Sequence, residues 1–262
     1  MTTGRAPSGL RVERLAKAFG GVHAIDNLTF AVQPGTVHSI IGPNGAGKTT
    51  LINLLTGVYR PTAGRILFEG ADLTGMPPHG FAAAGIGRTF QNLQVFFNMT
   101  VVENVMTGRH RLEDCGLLPT LLRTPALARC ERESRARALE LLRFLGLSGR
   151  ADALPYGALK RLEIARALAG EPRLLLLDEP AAGLNPTEAG EIDELIRKLA
   201  GTGTTVVLVE HNMHLVMGVS DRIVVLDHGR LLAEGTPEAV REDPRVVDAY
   251  LGAAHETEVA DA

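Results

Sequence analysis

Apolar positions along this chain fall into two patterns. Thr36 to Ile41, Leu174 to Leu177, Thr204 to Val209 and Ile223 to Leu226 are short apolar or β-branched runs bounded by turn residues, which read as buried strands. Gly85 to Phe90 reads as another, ending on Gln91. Helical stretches lie between them, from Lys48 to about Leu55, from a Pro77-Pro78 start, and from Pro186 to Ala200. Strands alternating with helices at this spacing predict βαβ units and a mostly parallel core sheet. Leu10 to Leu15 and Leu28 to Val32 alternate only partially and precede the first parallel strand, so they predict an antiparallel flank. Between Asn92 and about Gly170 the pattern changes. Val101 to Thr107 is helical, Gly108 to Thr124 is irregular, and Pro125 opens a longer helix in which Leu139, Leu142 and Leu145 recur among charges. His228-Gly229 is a turn, and Pro237 to Leu251 reads as two short helices. The expected organisation is one α/β domain over residues 10–253, with core segments 10–91 and 171–253, a helical subdomain at 92–170, and a loose tail at 254–262.

One stretch carries a specific chemistry. Gly42-Pro43-Asn44-Gly45-Ala46-Gly47-Lys48-Thr49 meets the phosphate-loop pattern G-x-x-x-x-G-K-[ST] at every fixed position, between a strand and a helix as that pattern requires. The glycines let successive N–H groups point at phosphate oxygens, and the helix N-terminus adds partial positive charge. Lys48 supplies a full charge to the β/γ-phosphates, Thr49 is the expected Mg²⁺ ligand, and Thr50 beside it belongs to the same nucleotide-binding set. The fold expected is therefore a P-loop NTPase.

Other strand ends fall in line with this loop. Gln91, Asp178 with Glu179, and His211 each follow a predicted parallel strand, and such ends share the edge of the sheet where ligands bind. Asp178 follows four leucines and should orient Mg²⁺ through Thr49 and water. Glu179 can activate the water that attacks the γ-phosphate, His211 can hydrogen-bond that phosphate, and Gln91 can touch Mg²⁺ or the water. Phe19, in Ala18-Phe19-Gly20-Gly21, has two readings, an adenine-stacking ring or a core phenylalanine.

Bulk properties narrow the class. The chain has 262 residues, 45% hydrophobic and 22% charged, which suits an ordinary globular protein. A net charge of −3 offers no basic field for nucleic acid as a partner. The run from Arg129 to Arg137 mixes signs and reads as a solvated helix face. Cys115 and Cys130 form no metal-ligand spacing and read as reduced thiols. Met1 to Gly9 lacks the apolar core of a signal peptide, and no apolar run is long enough to span a bilayer. Any membrane role is expected to come through a partner.

With these parts in place, the sequence resembles the ATP-binding subunits of ABC transporters, from about Leu10 to Gly252. The phosphate loop, Gln91, Asp178-Glu179 and His211 fall where that family has its Walker A, Q-loop, Walker B with catalytic glutamate, and switch histidine; Phe19 falls at its adenine-stacking aromatic. Within the family it is most similar to the ATPases of branched-chain amino-acid importers, through Arg88-Thr89-Phe90-Gln91, Arg161 to Arg166, Ala181 to Pro186 and Glu210-His211-Asn212-Met213. The resemblance implies ATP and Mg²⁺ as cofactors and hydrolysis coupled to transport. It also implies transmembrane permease subunits as partners, and a second ATPase subunit, identical or paralogous, in a head-to-tail sandwich. The place implied is the cytoplasmic face of the inner (plasma) membrane, held peripherally.

The family's signature, usually Leu-Ser-Gly-Gly-Gln, falls here on Leu154-Pro155-Tyr156-Gly157-Ala158, so the serine hydroxyl and the glutamine are missing. Tyr156 and Gly157, at a helix start, are left to meet the opposite subunit's nucleotide through helix N–H groups and dipole. One hydrogen bond to a charged group is worth about 1.5–3 kcal/mol, so turnover at one site is expected to slow without being abolished. Another ABC system (urea or lipopolysaccharide transport), a non-transport ABC ATPase, or a non-hydrolysing regulator are the other readings. Intact Glu179 and His211 count against the last.

Overall fold

The computed structural model describes residues 9–112 and 125–250. Sequence readings on 1–8, 113–124 and 251–262, including Cys115, lie outside these residues. In chain order, β1 (Leu10–Phe19) and β2 (Val22–Val32) form a hairpin, followed by β3 (Val37–Ile41) and α1 (Lys48–Leu55). Next come β4 (Ala63–Phe68), β5 (Ala71–Asp72), α2 (Pro78–Ala83) and β6 (Ile86–Arg88). The helices α3 (Val101–Thr107), α4 (Pro125–Phe144) and α5 (Tyr156–Ala169) then precede β7 (Leu174–Asp178) and α6 (Pro186–Gly201). β8 (Thr205–Val209), α7 (Met213–Val219), β9 (Arg222–Asp227), β10 (Arg230–Gly235), α8 (Pro237–Arg241) and a last helix, α9, at 244–250 complete the described chain.

The strands form two sheets. One is antiparallel, in the order β2-β1-β4-β5; the other runs β10-β9-β3-β8-β7-β6. In the second, β9, β3, β8, β7 and β6 are parallel to their neighbours, and β10 closes the edge antiparallel to β9. The expected parallel core and antiparallel flank are both present.

The four leucines of β7 explain why this sheet is central. All are fully buried, and alternation sends them to opposite faces. Leu175 and Leu177, with Val206 and Leu208 of β8, pack against α3, α4, α5 and α6. Leu174 and Leu176, with Val207 and Val209, pack against α1 and the antiparallel sheet. A strand buried on both faces reads as a continuous apolar run. β3, β7 and β8 are buried at every position.

Several expectations need correction. The hairpin strands reach Phe19 and Val22, beyond the short runs anticipated, because their tip pairs only with itself and lacks a one-sided apolar pattern. The strand expected over Gly85–Phe90 ends at Arg88, since the Phe90 N–H turns away from β7 and donates to the Glu163 carboxylate at 3.1 Å. On α4 the buried line is Ser134, Ala138 and Leu142, continued by Leu145 after the helix, while Leu139 is only half-buried. β10 escaped notice because Ala233 is its one buried residue and a bulge interrupts its pairing. The charged residues from Arg129 to Arg137 are exposed, as expected of a solvated face.

His38, the second residue of β3, is 1% exposed. Its Nε2 accepts a hydrogen bond from the Gln33 N–H at 3.3 Å. Burial and the nearby Arg222 hold its pKa at about 4, against the upward pull of Asp221. The unfolded chain takes up a proton near 6.5, so the stability gained from a neutral imidazole is full above that pH and is lost as pH falls toward 4. The gap corresponds to at most about 3 kcal/mol. His38→Gln, which keeps an acceptor for Gln33, is expected to flatten the fall in urea midpoint between pH 6.5 and 4; an unchanged slope would assign the acid limb to other groups.

Candidate functional site

The loop after β3 curls through glycines at positive φ, with Gly42 at 153°, Gly45 at 81° and Gly47 at 99°. Two of them are also required by space. A Cβ at Gly42 would lie 2.2 Å from the Leu226 carbonyl oxygen, and one at Gly47 would lie 2.6 Å from that of Ala24. Gly47 caps α1 without a side-chain hydrogen bond, so the first-turn N–H groups of that helix are left for an anion. The buried Lys48 ammonium donates to the carbonyls of Gly42 at 2.6 Å and Pro43 at 2.9 Å. Burial lowers its pKa, and the Glu179 carboxylate opposes this.

Facing the loop, three predicted residues meet. Gln91 Nε2 donates to Glu179 Oε2 at 2.9 Å, and His211 Nε2 lies 3.0 Å from Glu179 Oε1. Glu179 itself has φ 47°, a left-handed conformation uncommon for a non-glycine residue and found where structure over-determines it. Its N–H still donates to the Val209 carbonyl at 2.8 Å, extending the β7–β8 ladder by one bond and fixing where the carboxylate leaves the sheet. Asn44 to Thr50, Ala24, Gln91, Glu179 and His211 line one cleft of about 360 Å³. The arrangement sets a carboxylate, aimed by an amide and an imidazole, across from a phosphate cradle.

Asp178 does not line that cleft. It is 5% exposed and pairs with Arg88 at 3.3 Å. Burial raises its pKa, and Arg88 pulls it back down. Its N–H is held by the Thr89 hydroxyl at 3.2 Å. The donors expected for Mg²⁺ are the Thr49 hydroxyl, the Asp178 carboxylate and the Gln91 amide oxygen, which stays available because Gln91 uses its nitrogen on Glu179. No group of three or more His, Cys, Asp or Glu that could hold a metal occurs among the described residues. Such a sparse, all-oxygen set suits Mg²⁺, which keeps waters and substrate phosphates as most of its ligands.

The remaining predicted residues lie apart. Phe19 stands at the hairpin tip, 44% exposed, edge-on to Tyr59 at 5.3 Å, with the Lys17 ammonium 4.8 Å from its centroid. Phe19 is no core residue, and it does not line the cleft. Tyr156 opens α5 and is also 44% exposed. Gly157 is buried, with the Glu188 carboxylate so close that a Cβ would meet it at 2.7 Å.

Residues 25–182 match the family model described as ABC transporter, and residues 230–256 match that of the branched-chain amino acid ATP-binding cassette transporter. The high-affinity branched-chain amino acid transport ATP-binding protein LivG of Escherichia coli K12 is 47% identical over 94% of this chain and 98% of its own length. The high-affinity branched-chain amino acid transport ATP-binding protein BraF of Pseudomonas aeruginosa matches equally well over the same shares. The chain belongs to the ABC transporter family. A nucleotide-free ATP-binding cassette from an ABC transporter superposes with a TM-score of 0.81 at 35% identity, covering 93% of this chain and 98% of that one. A dimeric post-hydrolysis cassette bound to ADP and Pi does so with a TM-score of 0.72 at 26% identity, covering 87% and 98%.

Around the site of this ABC ATPase stand further residues to which sequence patterning assigns no role. Glu210, 3% exposed, accepts from the N–H groups of Ala181, His211 and Asn212, so it sets the turn that presents His211. Its signal was its place beside His211 after an apolar strand. Arg88 ties Asp178 to Asn53 and Thr56 of the α1 segment, each at 2.9 Å. Tyr250, in the C-terminal segment that the second family model matches, packs on the cluster containing Ile41. Burial pushes its phenol up to about 12, with the Gly42 backbone pulling the other way.

The loop geometry separates two glycines by cause. At Gly45 a Cβ meets nothing within 4 Å, so Gly45→Ala incurs backbone strain alone, about 1–2 kcal/mol. Gly47→Ala adds collisions with Ala24 O and Ile25 Cδ1 and is expected to cost more than twice as much in denaturant unfolding. Equal losses would show that the loop can shift away from Ala24.

Proposed function

We propose that this chain is the ATP-hydrolysing subunit of an importer for branched-chain amino acids, held at the cytoplasmic face of the plasma membrane by a permease. The ATPase assignment follows from the family; the cargo is supported by the LivG and BraF relatives and by the C-terminal match. The observation that carries the chemistry is Glu179 fixed between Gln91 and His211 opposite the phosphate loop.

On nucleotide binding, Lys48 exchanges its bonds to the Gly42 and Pro43 carbonyls for phosphate oxygens, and the loop N–H groups hold the rest of the triphosphate. Glu179 takes the proton of the attacking water, a contribution of about 10²- to 10⁴-fold. His211, released from Glu179, donates to the γ-phosphate where charge accumulates. Thr49 and Asp178, with the Gln91 oxygen, would hold Mg²⁺, which supplies neutralisation of phosphate charge when bound. Asp178 is then shared between that ion and Arg88.

A second ATPase subunit would cover the cleft with its own signature helix, and Tyr156 and Gly157 of this chain would serve the opposite nucleotide. The permease has a suitable seat on the far side of the Gln91 loop. A groove of about 680 Å³ there is lined by Phe81, Phe90, Phe96, Arg111 and Arg166, among others. Phe90 is 42% and Phe96 47% exposed, apolar surface of the kind that marks partner sites. No helix among the described residues is long and apolar enough to cross a membrane, so the membrane path belongs to that partner.

Two measurements test this reading. Glu179→Gln is expected to reduce turnover by at least about 10²-fold while ATP binding persists, and to trap a nucleotide-dependent dimer on size exclusion. Turnover that survives the substitution would remove Glu179 as the base. Purification of the complex from detergent-solubilised membranes should bring down a permease whose ATP-driven uptake accepts leucine, isoleucine or valine; uptake of an unrelated solute alone would overturn the cargo.

A further inference from the structure

Residues 89–99 contain neither helix nor strand, yet they carry Gln91 on one side and much of the groove on the other. What fixes the first part of this loop is one face of α5. Lys160, Glu163 and Arg166 stand three residues apart on that helix, so their side chains rise on neighbouring turns. Each grips a different backbone group. Glu163 Oε1 accepts from the Phe90 N–H at 3.1 Å, and Lys160 Nζ donates to the Gln91 carbonyl at 3.1 Å. Arg166 donates to the Gln94 carbonyl and also lies over the Phe96 ring, 5.7 Å from its centroid.

These are costly groups to place here. Lys160 is 2% and Glu163 3% exposed, and buried charged groups add little net stability over apolar residues of similar volume. Glu163 sits between two cations of its own helix, and each of the three spends its hydrogen bonds on the loop backbone rather than on the others. Glu163 and Arg166 also line the groove, whereas Gln91, the residue after Phe90, holds the Glu179 carboxylate in the nucleotide cleft.

We propose that Lys160, Glu163 and Arg166 form a polar clasp that joins α5 and residues 90–94 into one moving body, making Glu163 a positioning residue for Gln91. The proposal rests on the transporter reading for its purpose. A permease segment in the groove presses on Glu163 and Arg166, and the clasp carries that displacement to the amide that aims Glu179. Conversely, a γ-phosphate that draws Gln91 toward the loop pulls α5 with it, and so moves the Tyr156-Gly157 end of the same helix.

The test compares the full-length chain with Glu163→Ala and Glu163→Gln, the second keeping an acceptor for the Phe90 N–H. Glu163→Ala is expected to lower kcat about tenfold while ATP affinity, set at the phosphate loop, stays within about twofold; Glu163→Gln should recover most of kcat. By hydrogen exchange, a non-hydrolysable ATP analogue with Mg²⁺ should change protection in 89–96 and in α5 together in the wild type. In Glu163→Ala it should change only 89–96. A thermal melt identifies a variant that has not folded, in which case Glu163→Gln and the wild-type exchange decide alone. The clasp is overturned if α5 does not respond to the analogue in the wild type, or if Glu163→Ala leaves kcat and the joint response intact. Failure of the transporter reading looks different: wild-type turnover would ignore permease-containing membranes while the exchange pattern stood.

Discussion

The bond from the Glu179 N–H to the Val209 carbonyl, one step past the end of β7, is the constraint on which the site depends. It exists because β7 and β8 run parallel in register, with Asp178 opposite Val209, and because both strands are buried on two faces and cannot slip without exposing leucines and valines. The same sheet sets β3 beside β8, with Ile40 opposite Val209, so the phosphate loop leaves the sheet at the level where Glu179 does. His211 follows two residues after that valine, its turn held by Glu210. Glu179 faces Lys48 because apolar strands align, and its positive φ is the local strain that the alignment imposes.

Charge at the site is balanced in two layers. In the cleft, Lys48 and Glu179 oppose each other, the carboxylate moderating what burial does to the lysine. Beneath it, Asp178 and Arg88 form a pair in which both side chains are mostly buried. Truncating one partner of such a pair leaves the other uncompensated, at a cost of several kcal/mol. Arg88 therefore holds in place the carboxylate proposed for Mg²⁺, although it touches no predicted phosphate contact. It also stacks on Phe90, 4.5 Å from the ring centroid, so the layer beneath the cleft continues into the groove.

The parts legible in the sequence were those that a short pattern determines. The phosphate loop is read from glycine spacing, and β7, β3 and β8 from unbroken apolar runs; in each case local chemistry and tertiary burial ask for the same residues. Gln91, Glu179 and His211 are expected at strand ends, and the structure brings Gln91 and His211 to the Glu179 carboxylate. What was not legible depends on contacts distant in sequence. Glu163 looks like one more acid in a charged helix, and only the fold shows its carboxylate receiving the Phe90 N–H from 73 residues away. Arg88 looks like a polar residue within a strand, and its pairing with Asp178 spans 90 residues. The true end of β6 is hidden for the same reason, since the group that captures the Phe90 N–H lies on α5.

The signature region shows how a packing demand and a functional demand can meet at one glycine. Pro155 precedes α5 as its N-cap, with φ −66° and ψ 163°, so its missing N–H disturbs nothing in the helix. Gly157 is needed for space, because Glu188, locked in the capping box of α6, fills the room a Cβ would take. That carboxylate also lies near the positive end of α5, where it offsets part of the dipole an opposite nucleotide would use. The loss of a serine hydroxyl and the presence of this acid act in the same direction, while Lys48, Glu179 and His211 remain complete. In the head-to-tail sandwich proposed above, two copies of this chain would place the weaker half against both nucleotides. Pairing there with an unlike subunit that carries a serine would confine the weakness to one site and leave this chain's proposed catalytic residues facing a full partner.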